Sequence, residues 1–370
     1  MLLYWGRRGA LSRFTLELAR VATSTPGVQA SVSVSRQNEA FDAFASIGSA
    51  LFAVDTFRSS SGALTNVRRF TALRRALAQR LAADRTDAVV ALMPHVWSQL
   101  VIDVVRGAGA RYITIVHDAV PHQGERGSLL HRWLLREAAA ADHVLTLSRS
   151  VAAQLAGSGR VPSERISTSF LPELTYGSSA SLTSHPATGP LRLLFFGRVL
   201  PYKGLSRLVT AVERVRARGR QVELGVFGEG DLEGLGPRLQ ALGATVVNRW
   251  IAEGDVATVF EQHDAVVLSH SEASQSGVVA AAFGTGLPVI ALPVGGLVEQ
   301  VTHGETGLVA ARPDLDALVD AITQLADDPA LLRHLRAGVA RTHGERSMTR
   351  FLDTLVTIAA PGTLSQRLTA

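Results

Sequence analysis

Short apolar runs and longer amphipathic segments alternate along most of this chain. Leu2–Trp5 is an apolar run of strand length, and Ala10–Ala22 carries its apolar residues at helical spacing. The same pairing recurs at Ala88–Met93 with Val96–Gly107, at Tyr112–Val116 with Leu129–Ala140, and at His143–Leu147 with Ser148–Ala156. Unbroken apolar runs are what strands show when both faces are covered. Strand-then-helix order, repeated, predicts a parallel sheet with helices on both sides. Ser148 stands where a first helical turn needs a side-chain oxygen for its free N–H groups.

The pattern stops at Tyr176–Pro190, a stretch of small and turn residues that reads as a linker. A second series then begins. Strands are expected at Leu191–Phe196, Val222–Phe227, Thr245–Val247, Ala265–Leu268 and Pro288–Leu292. Helices are expected at Leu205–Arg218, Leu232–Leu242, Asp255–Gln262, Ser276–Gly284, Asp314–Asp327 and Pro329–Thr342. The fold class is therefore α/β, with two doubly wound Rossmann-like domains over residues 1–183 and 184–345. Residues 346–370 form a helical tail that could cross back to the first domain. A ligand cleft is expected between the carboxyl ends of the two sets of strands.

Composition narrows this picture. A length of 370 residues suits two domains, and 46% hydrophobic against 19% charged residues suffices for two cores. Cysteine is absent, which excludes disulfides and thiolate chemistry and is compatible with the cytoplasm. The first six residues are too short and too soon broken to read as a signal peptide. Gly277–Val298 carries no charge, but five glycines and two prolines divide it into a helix, a turn and a buried strand. It is not expected to span a membrane.

Charge is uneven. Residues 1–185 hold 20 arginines against 13 acids, while residues 186–370 hold 17 basic and 19 acidic residues. A basic first half suits an anionic acceptor or an anionic membrane surface, with a solvated arginine-rich surface as the alternative. Arg68, Arg69, Arg74 and Arg75 are spaced like one helix face, so no nucleic-acid partner is expected.

One residue stands apart. Lys203 is the only lysine, the other 36 basic residues being arginine. Lysine offers a compact point charge where arginine offers a planar fork. Lys203 lies in Gly197-Arg198-…-Lys203-Gly204, a glycine turn after an apolar strand. A glycine there lets backbone approach a ligand, and two cations five residues apart can flank a pyrophosphate. Codon bias with one arbitrary survivor is the alternative. Farther on, Glu272 stands at a strand end, and Ser276-Gly277 opens a helix whose free N–H groups would face an anion. Gly286-Leu287-Pro288-Val289-Ile290 and Gly295-Gly296-Leu297-Val298-Glu299 follow.

These motifs, in this order, resemble the donor domain of the GT-B glycosyltransferases, and specifically the large retaining family 4. The resemblance covers about residues 190–310. It implies a hexosyltransferase acting on a nucleotide-diphosphate sugar, with UDP- or GDP-hexose as donor and no separate cofactor or metal. It implies that Arg198 and Lys203 bind the diphosphate, and that Glu272, Ser276, Gly277 and Val278 hold sugar and phosphate. By the same resemblance Gly197, Gly228, Trp250 and Glu299 join the donor site. Gly6 and Gly9 would form a loop facing the donor, with Arg7, Arg8 and Arg13 beside it for the acceptor. Val116-His117-Asp118-Ala119-Val120-Pro121-His122 resembles a strand-end segment of some members, which gives His117 a donor-sugar contact and His122 an acceptor role. The implied acceptor is a glycan, glycolipid or lipid-linked hydroxyl at the cytoplasmic side of a membrane.

Two departures matter. Members usually carry a second glutamate that contacts the ribose, and here positions 281 and 282 are both alanine. The usual Pro-Phe-Gly stretch is replaced by Gln275-Ser276-Gly277. These changes motivate a second reading, a non-catalytic nucleotide-sugar-binding or scaffold protein. A third, a nicotinamide dehydrogenase, needs a third glycine after Gly228-Glu229-Gly230, and position 233 is glutamate.

Overall fold

The computed structural model describes residues 1–57, 67–121, 128–176, 189–232 and 234–360. Most of the sequence-predicted linker, residues 177–188, lies outside them. The described residues divide into two compact units: residues 1–121, 128–170 and 347–360 form one, and residues 171–346 the other.

The first unit is built on seven strands: β1 (Leu2–Tyr4), β2 (Val32–Ser35), β3 (Leu51–Val54), β4 (Ala88–Ala91), β5 (Arg111–Val116), β6 (His143–Thr146) and β7 (Ile166–Thr168). All neighbours are parallel, in the order β3-β2-β1-β4-β5-β6-β7. Its helices are α1 (Ala10–Ser24), α2 (Phe41–Ala45), α3 (Val67–Ala83), α4 (Ile102–Gly107), α5 (Ser128–Ala140) and α6 (Arg149–Gly157). Ser148 caps α6 by accepting from the Val151 N–H. The last described helix of the chain, Met348–Ala359, also belongs here. Phe351 meets Phe14 of α1 edge-on at 5.4 Å, and Arg111 donates to the Ile358 carbonyl at 2.5 Å.

The second unit holds β8 (Leu191–Phe196), β9 (Val222–Phe227), β10 (Thr245–Val247), β11 (Ala265–Leu268), β12 (Val289–Ala291) and β13 (Gly307–Val309). They too are all parallel, in the order β10-β9-β8-β11-β12-β13. Its helices are α7 (Leu205–Ala217), α8 (Gly236–Ala241), α9 (Glu253–Glu261), α10 (Gly277–Gly284), α11 (Leu297–Gln300), α12 (Leu315–Asp327) and α13 (Pro329–Arg341). Side chains alternate across β8, so both faces need covering. Leu191, Leu193 and Phe195 enter a core with α7 and α12, while Leu194 and Phe196 enter one with α9 and α10.

In each sheet the chain starts near the middle, winds to one edge, then returns and winds to the other. The reversal falls between β1 and β4 in the first sheet and between β8 and β11 in the second. Loops at the carboxyl ends of those strands diverge there and leave a crevice.

Several elements depart from the sequence pattern. β2 reads Val-Ser-Val-Ser, a half-polar strand, yet all four residues are buried. Ser33 accepts from the Trp5 indole at 2.9 Å, and Ser35 bonds the Thr56 hydroxyl at 2.7 Å, so hydrogen bonds offset the burial of both hydroxyls. The helix expected over Val96–Gly107 begins as a 3-10 turn at Ser98–Val101 before α4. The one expected over Leu232–Leu242 shortens to α8, with Pro237 near its start. The uncharged stretch Gly277–Val298 folds as α10, β12 and the start of α11, and no helix among the described residues is long and apolar enough to cross a membrane.

Candidate functional site

The switch point of the second sheet brings the sequence-predicted donor residues together. Gly197 follows directly on β8, and its φ of +98° favours glycine. A Cβ built there would stand 3.0 Å from Lys203 Nζ and 3.6 Å from Val278 Cγ2. The ammonium of the lone lysine and the first turn of α10 thus converge on one glycine. The chain reaches Lys203 through a short 3-10 turn, Pro201–Lys203, closed by Gly204 in the left-handed region (φ +68°). Arg198 is exposed on the same turn, and Lys203 is partly buried.

The loops after β8 and β11 are stitched to each other. Ser269 Oγ lies 2.9 Å from both the Lys203 and Gly204 carbonyls. The Ser271 N–H donates to the Tyr202 carbonyl at 2.7 Å, and Arg207 donates to the Ser269 carbonyl at 3.2 Å. Gly204 approaches so closely that a Cβ on it would stand 2.2 Å from the Ser269 carbonyl oxygen. Glu272, half-buried, follows directly on this braced segment.

Ser276 ends the loop and caps α10: its Oγ accepts from the Val278 N–H at 3.2 Å. Gly277 is the first residue of α10, and Val278 the second. On the far side Gln300 pairs with the Ser276 backbone, accepting from its N–H at 2.7 Å and donating to its carbonyl at 3.2 Å. Glu299 lies beside Gln300 on α11, partly buried. From behind, Leu174 donates to the Ala280 carbonyl at 3.1 Å, and its own carbonyl presses against Gly284.

Ala281 and Ala282 are 3% and 0% exposed and belong to the core on that face of the sheet. A carboxylate at either place would be buried among Phe283, Leu287 and Val289, so neither position is suited to a ribose-binding acid. Gly228 and Gly230 have packing reasons of their own. Cβ atoms there would stand 2.0 Å from the Gly197 oxygen and 2.3 Å from the Val199 oxygen. Asn248 brackets Gly230, donating to its carbonyl and accepting from its N–H, and Trp250 lies partly buried nearby in sequence.

In the first unit Gly6 and Gly9 follow β1 at the other switch point. Gly6 lies against the Tyr4 ring, 2.5 Å from where its Cβ would be. Gly9 opens α1 with φ +103°, and its N–H donates to Glu39 Oε1 at 2.7 Å. The chain's own carboxylate therefore takes the amide of a glycine that the resemblance placed in a loop facing the donor. Arg7 and Arg8 are exposed, whereas Arg13 pairs with Glu17 at 2.5 Å. His117, after β5, hydrogen-bonds the Leu92 carbonyl through Nε2 at 2.8 Å. A carbonyl can only accept, so Nε2 holds the proton, and burial lowers the ring's pKa. His122 lies outside the described residues.

Sequence reasoning passed over His95, which follows β4 at this same switch point. Its ring stacks on Phe57 at 5.2 Å and meets Trp5 edge-on at 5.8 Å. Burial, with the charge of Arg7, lowers its pKa to about 4, so it is neutral at pH 7. Nδ1 accepts from the Trp97 N–H, which leaves Nε2 as a neutral donor. Pro-His-Val-Trp after an apolar strand was the only signal available. Among the described residues no cluster of acids and histidines could hold a metal ion.

Two parallel, doubly wound sheets in one chain define the GT-B architecture. Residues 190–328 match the family described as glycosyl transferases group 1. The glycogen synthase of Mycobacterium tuberculosis is 33% identical over 162 residues, 42% of this chain and 38% of that one. The D-inositol 3-phosphate glycosyltransferase of Actinosynnema mirum is 33% identical over 170 residues, 42% of this chain and 40% of that one. The chain spans about two fifths of the length of these curated relatives. Anabaena HepE, solved in complex with UDP and glucose, superposes with a TM-score of 0.71 over 96% of this chain and 98% of its own, at 15% identity.

Proposed function

We propose that this protein is a retaining glycosyltransferase that moves a hexosyl group from a nucleotide-diphosphate sugar to an acceptor hydroxyl. The observation that carries the reading is the convergence of the Lys203 ammonium and the first turn of α10 on Gly197 at the switch point of the second sheet. Relatives named glycogen synthase and D-inositol 3-phosphate glycosyltransferase support glycosyl transfer, and a structural neighbour that holds UDP and glucose supports a UDP-sugar.

Transfer breaks the bond from the anomeric carbon to the leaving diphosphate and forms one to the acceptor oxygen on the same face. The acceptor proton passes to the departing phosphate oxygen. Charge accumulates on that phosphate, so fixed cations and amide dipoles provide the main stabilisation. Lys203, Arg198 and the Gly277 N–H at the start of α10 supply it in place of a divalent ion. Glu272 hydrogen-bonds sugar hydroxyls. With alanine at 281 and 282, the ribose is held without the usual carboxylate.

Titration with UDP-glucose and GDP-mannose, followed by thermal melting, tests binding. A ligand at 100 times its dissociation constant stabilises by about 2.7 kcal/mol. Nucleotide release in the presence of candidate acceptors, with the product anomer read by NMR, tests transfer and retention. Binding without turnover over a broad acceptor panel would favour the sugar-nucleotide-binding scaffold, for which the two buried alanines are the motive. No stabilisation by any nucleotide sugar would remove the donor-site reading.

A further inference from the structure

The donor loop is held from one side in a way that phosphate binding alone does not require. Residues 295–300 grip it at two points. The Gly296 N–H donates to the Ala273 carbonyl at 3.0 Å, and Gly295, at φ +49°, comes so close that a Cβ would stand 1.8 Å from that oxygen. Four residues after Gly296, the Gln300 carboxamide both accepts from and donates to the Ser276 backbone. This gives the Gly-Gly-x-x-Glu-Gln stretch a physical role as a bracket for Glu272–Ser276.

We infer that Gln300 is a positioning residue for the diphosphate, holding the Ser276 N–H and carbonyl so that the Gly277 N–H, which shares a peptide unit with that carbonyl, points at the phosphate. The inference rests on the donor-site reading proposed above. Ser276 is the hinge of that turn. Its backbone is extended (φ −131°), its Oγ takes the Val278 N–H, and its carbonyl starts the helical bonding by accepting from Val279. Rotation about the Ser276 backbone would move its carbonyl and the Gly277 N–H of the same peptide unit together. A carboxamide is the side chain that can stop the rotation at both ends, because it carries a donor and an acceptor in one plane, as a peptide does.

That chemistry makes the role separable from packing. A leucine of similar size makes neither bond. A glutamate at 300 makes both only while protonated. Once ionised it accepts from the Ser276 N–H but turns its second oxygen on the Ser276 carbonyl.

The test is isothermal titration of the wild type, Gln300→Glu and Gln300→Leu with UDP, with GDP and with uridine, at pH 5 and pH 8. Melting curves check the fold of each. At each pH the variant is compared with the wild type, so titration of the nucleotide phosphate cancels. Gln300→Glu is expected to bind UDP about tenfold or more weakly than wild type at pH 8 and to recover toward wild-type affinity at pH 5 as the carboxyl begins to protonate. Gln300→Leu is expected to be weak at both, with uridine binding unchanged throughout. A Gln300→Glu to wild-type ratio that stays at one at both pH values in folded protein would overturn the inference. So would an equal loss for uridine, which would make the clamp a general support of the pocket. If Gln300→Leu does not fold, the two pH values of Gln300→Glu carry the comparison alone. Wild-type protein that binds neither UDP nor GDP would instead refute the donor site itself, and the inference with it.

Discussion

At the scale of single residues, the site depends on which cation stands where. Lys203 Nζ sits beside Gly197, 3.0 Å from where a Cβ would stand, and a planar guanidinium does not place its charge as an ammonium does. Lys203→Ala and Arg198→Ala are each expected to lower turnover about 100-fold or more, the scale of losing one preorganised donor at developing charge. Lys203→Arg is expected to be impaired as well. Steady-state nucleotide release reads all three, and wild-type turnover in Lys203→Arg would return that lysine to chance. Glu272 poses a different question, because it stands half-buried on a loop braced by Ser271 on one side and Ala273 on the other. Loops held this way carry function more often than packing. Glu272→Ala is expected to lose activity with little change in melting temperature. A large fall in stability with unchanged specific activity would make it a structural residue.

At the scale of elements, the packing of α5 on the first sheet contains a buried acid. Glu137 is 0% exposed and accepts from the Tyr112 hydroxyl at 2.9 Å and the Thr114 hydroxyl at 3.0 Å, while its other oxygen meets Ser98 Oγ. Ser98 Oγ also lies 2.7 Å from the His95 carbonyl and 2.8 Å from the His95 N–H. One hydroxyl proton cannot serve both the His95 carbonyl and Glu137, so a protonated Glu137 completes the set. Burial agrees, raising its pKa to about 7. Between its ordinary value near 4.5 and 7, the unfolded carboxyl ionises while the folded one keeps its proton. The stability linked to Glu137 is therefore complete below pH 4.5 and is lost as pH rises to 7, an effect on the order of 3 kcal/mol. Glu137→Gln mimics the neutral acid. Its melting temperature is expected to match the wild type near pH 5 and to exceed it by several degrees at pH 8. Parallel curves across that range would show that Glu137 is ionised in the fold. His95 titrates with the opposite sign, favouring the fold as pH rises from about 4 to 6.5, so the difference between the two proteins is the clean readout.

At the scale of the whole molecule, the basic first half is partly spent on the protein itself. Arg13 pairs with Glu17, Arg74 with Asp103, Arg80 with Asp84 and Arg106 with Asp142. Surface pairs of this kind add little stability, but they lower the charge that a distant surface feels. Arg7, Arg8, Arg69 and Arg75 remain exposed. Attraction to an anionic bilayer amounts to roughly 1 kcal/mol per basic residue and fades within a Debye length. Co-sedimentation with anionic vesicles is expected at low salt and should disappear as salt rises. Absence of binding at low salt, with efficient transfer to neutral soluble acceptors, would leave the arginines as solvation and the membrane without a role.

The sequence by itself determined the class of fold and singled out the turns proposed as the donor site. Unbroken apolar strands separated by amphipathic helices have few packings other than parallel sheets covered on both faces, and the glycine turns at β8 and β11 mark where backbone must come close. It determined less where polarity and burial disagree. β2 looks like half a strand until Trp5 and Thr56 provide partners for its serines. β7 reads Ile-Ser-Thr and is only partly buried, and β13 opens on a glycine pressed against the Val289 carbonyl, so neither shows an apolar run. Only the tertiary structure decided which glycines are held close by a neighbour. Gly228 and Gly230 yield to the Gly197 and Val199 carbonyls, Gly6 yields to Tyr4, and the Gly9 amide is taken by Glu39. Only the tertiary structure, too, showed His95, Glu137 and Gln300. The side-chain partners of Glu137 and the backbone partner of Gln300 lie 23 to 39 residues away in the chain, and the His95 ring packs on Phe57 and on Trp5, the latter farther still, separations over which a pattern of single positions carries no information.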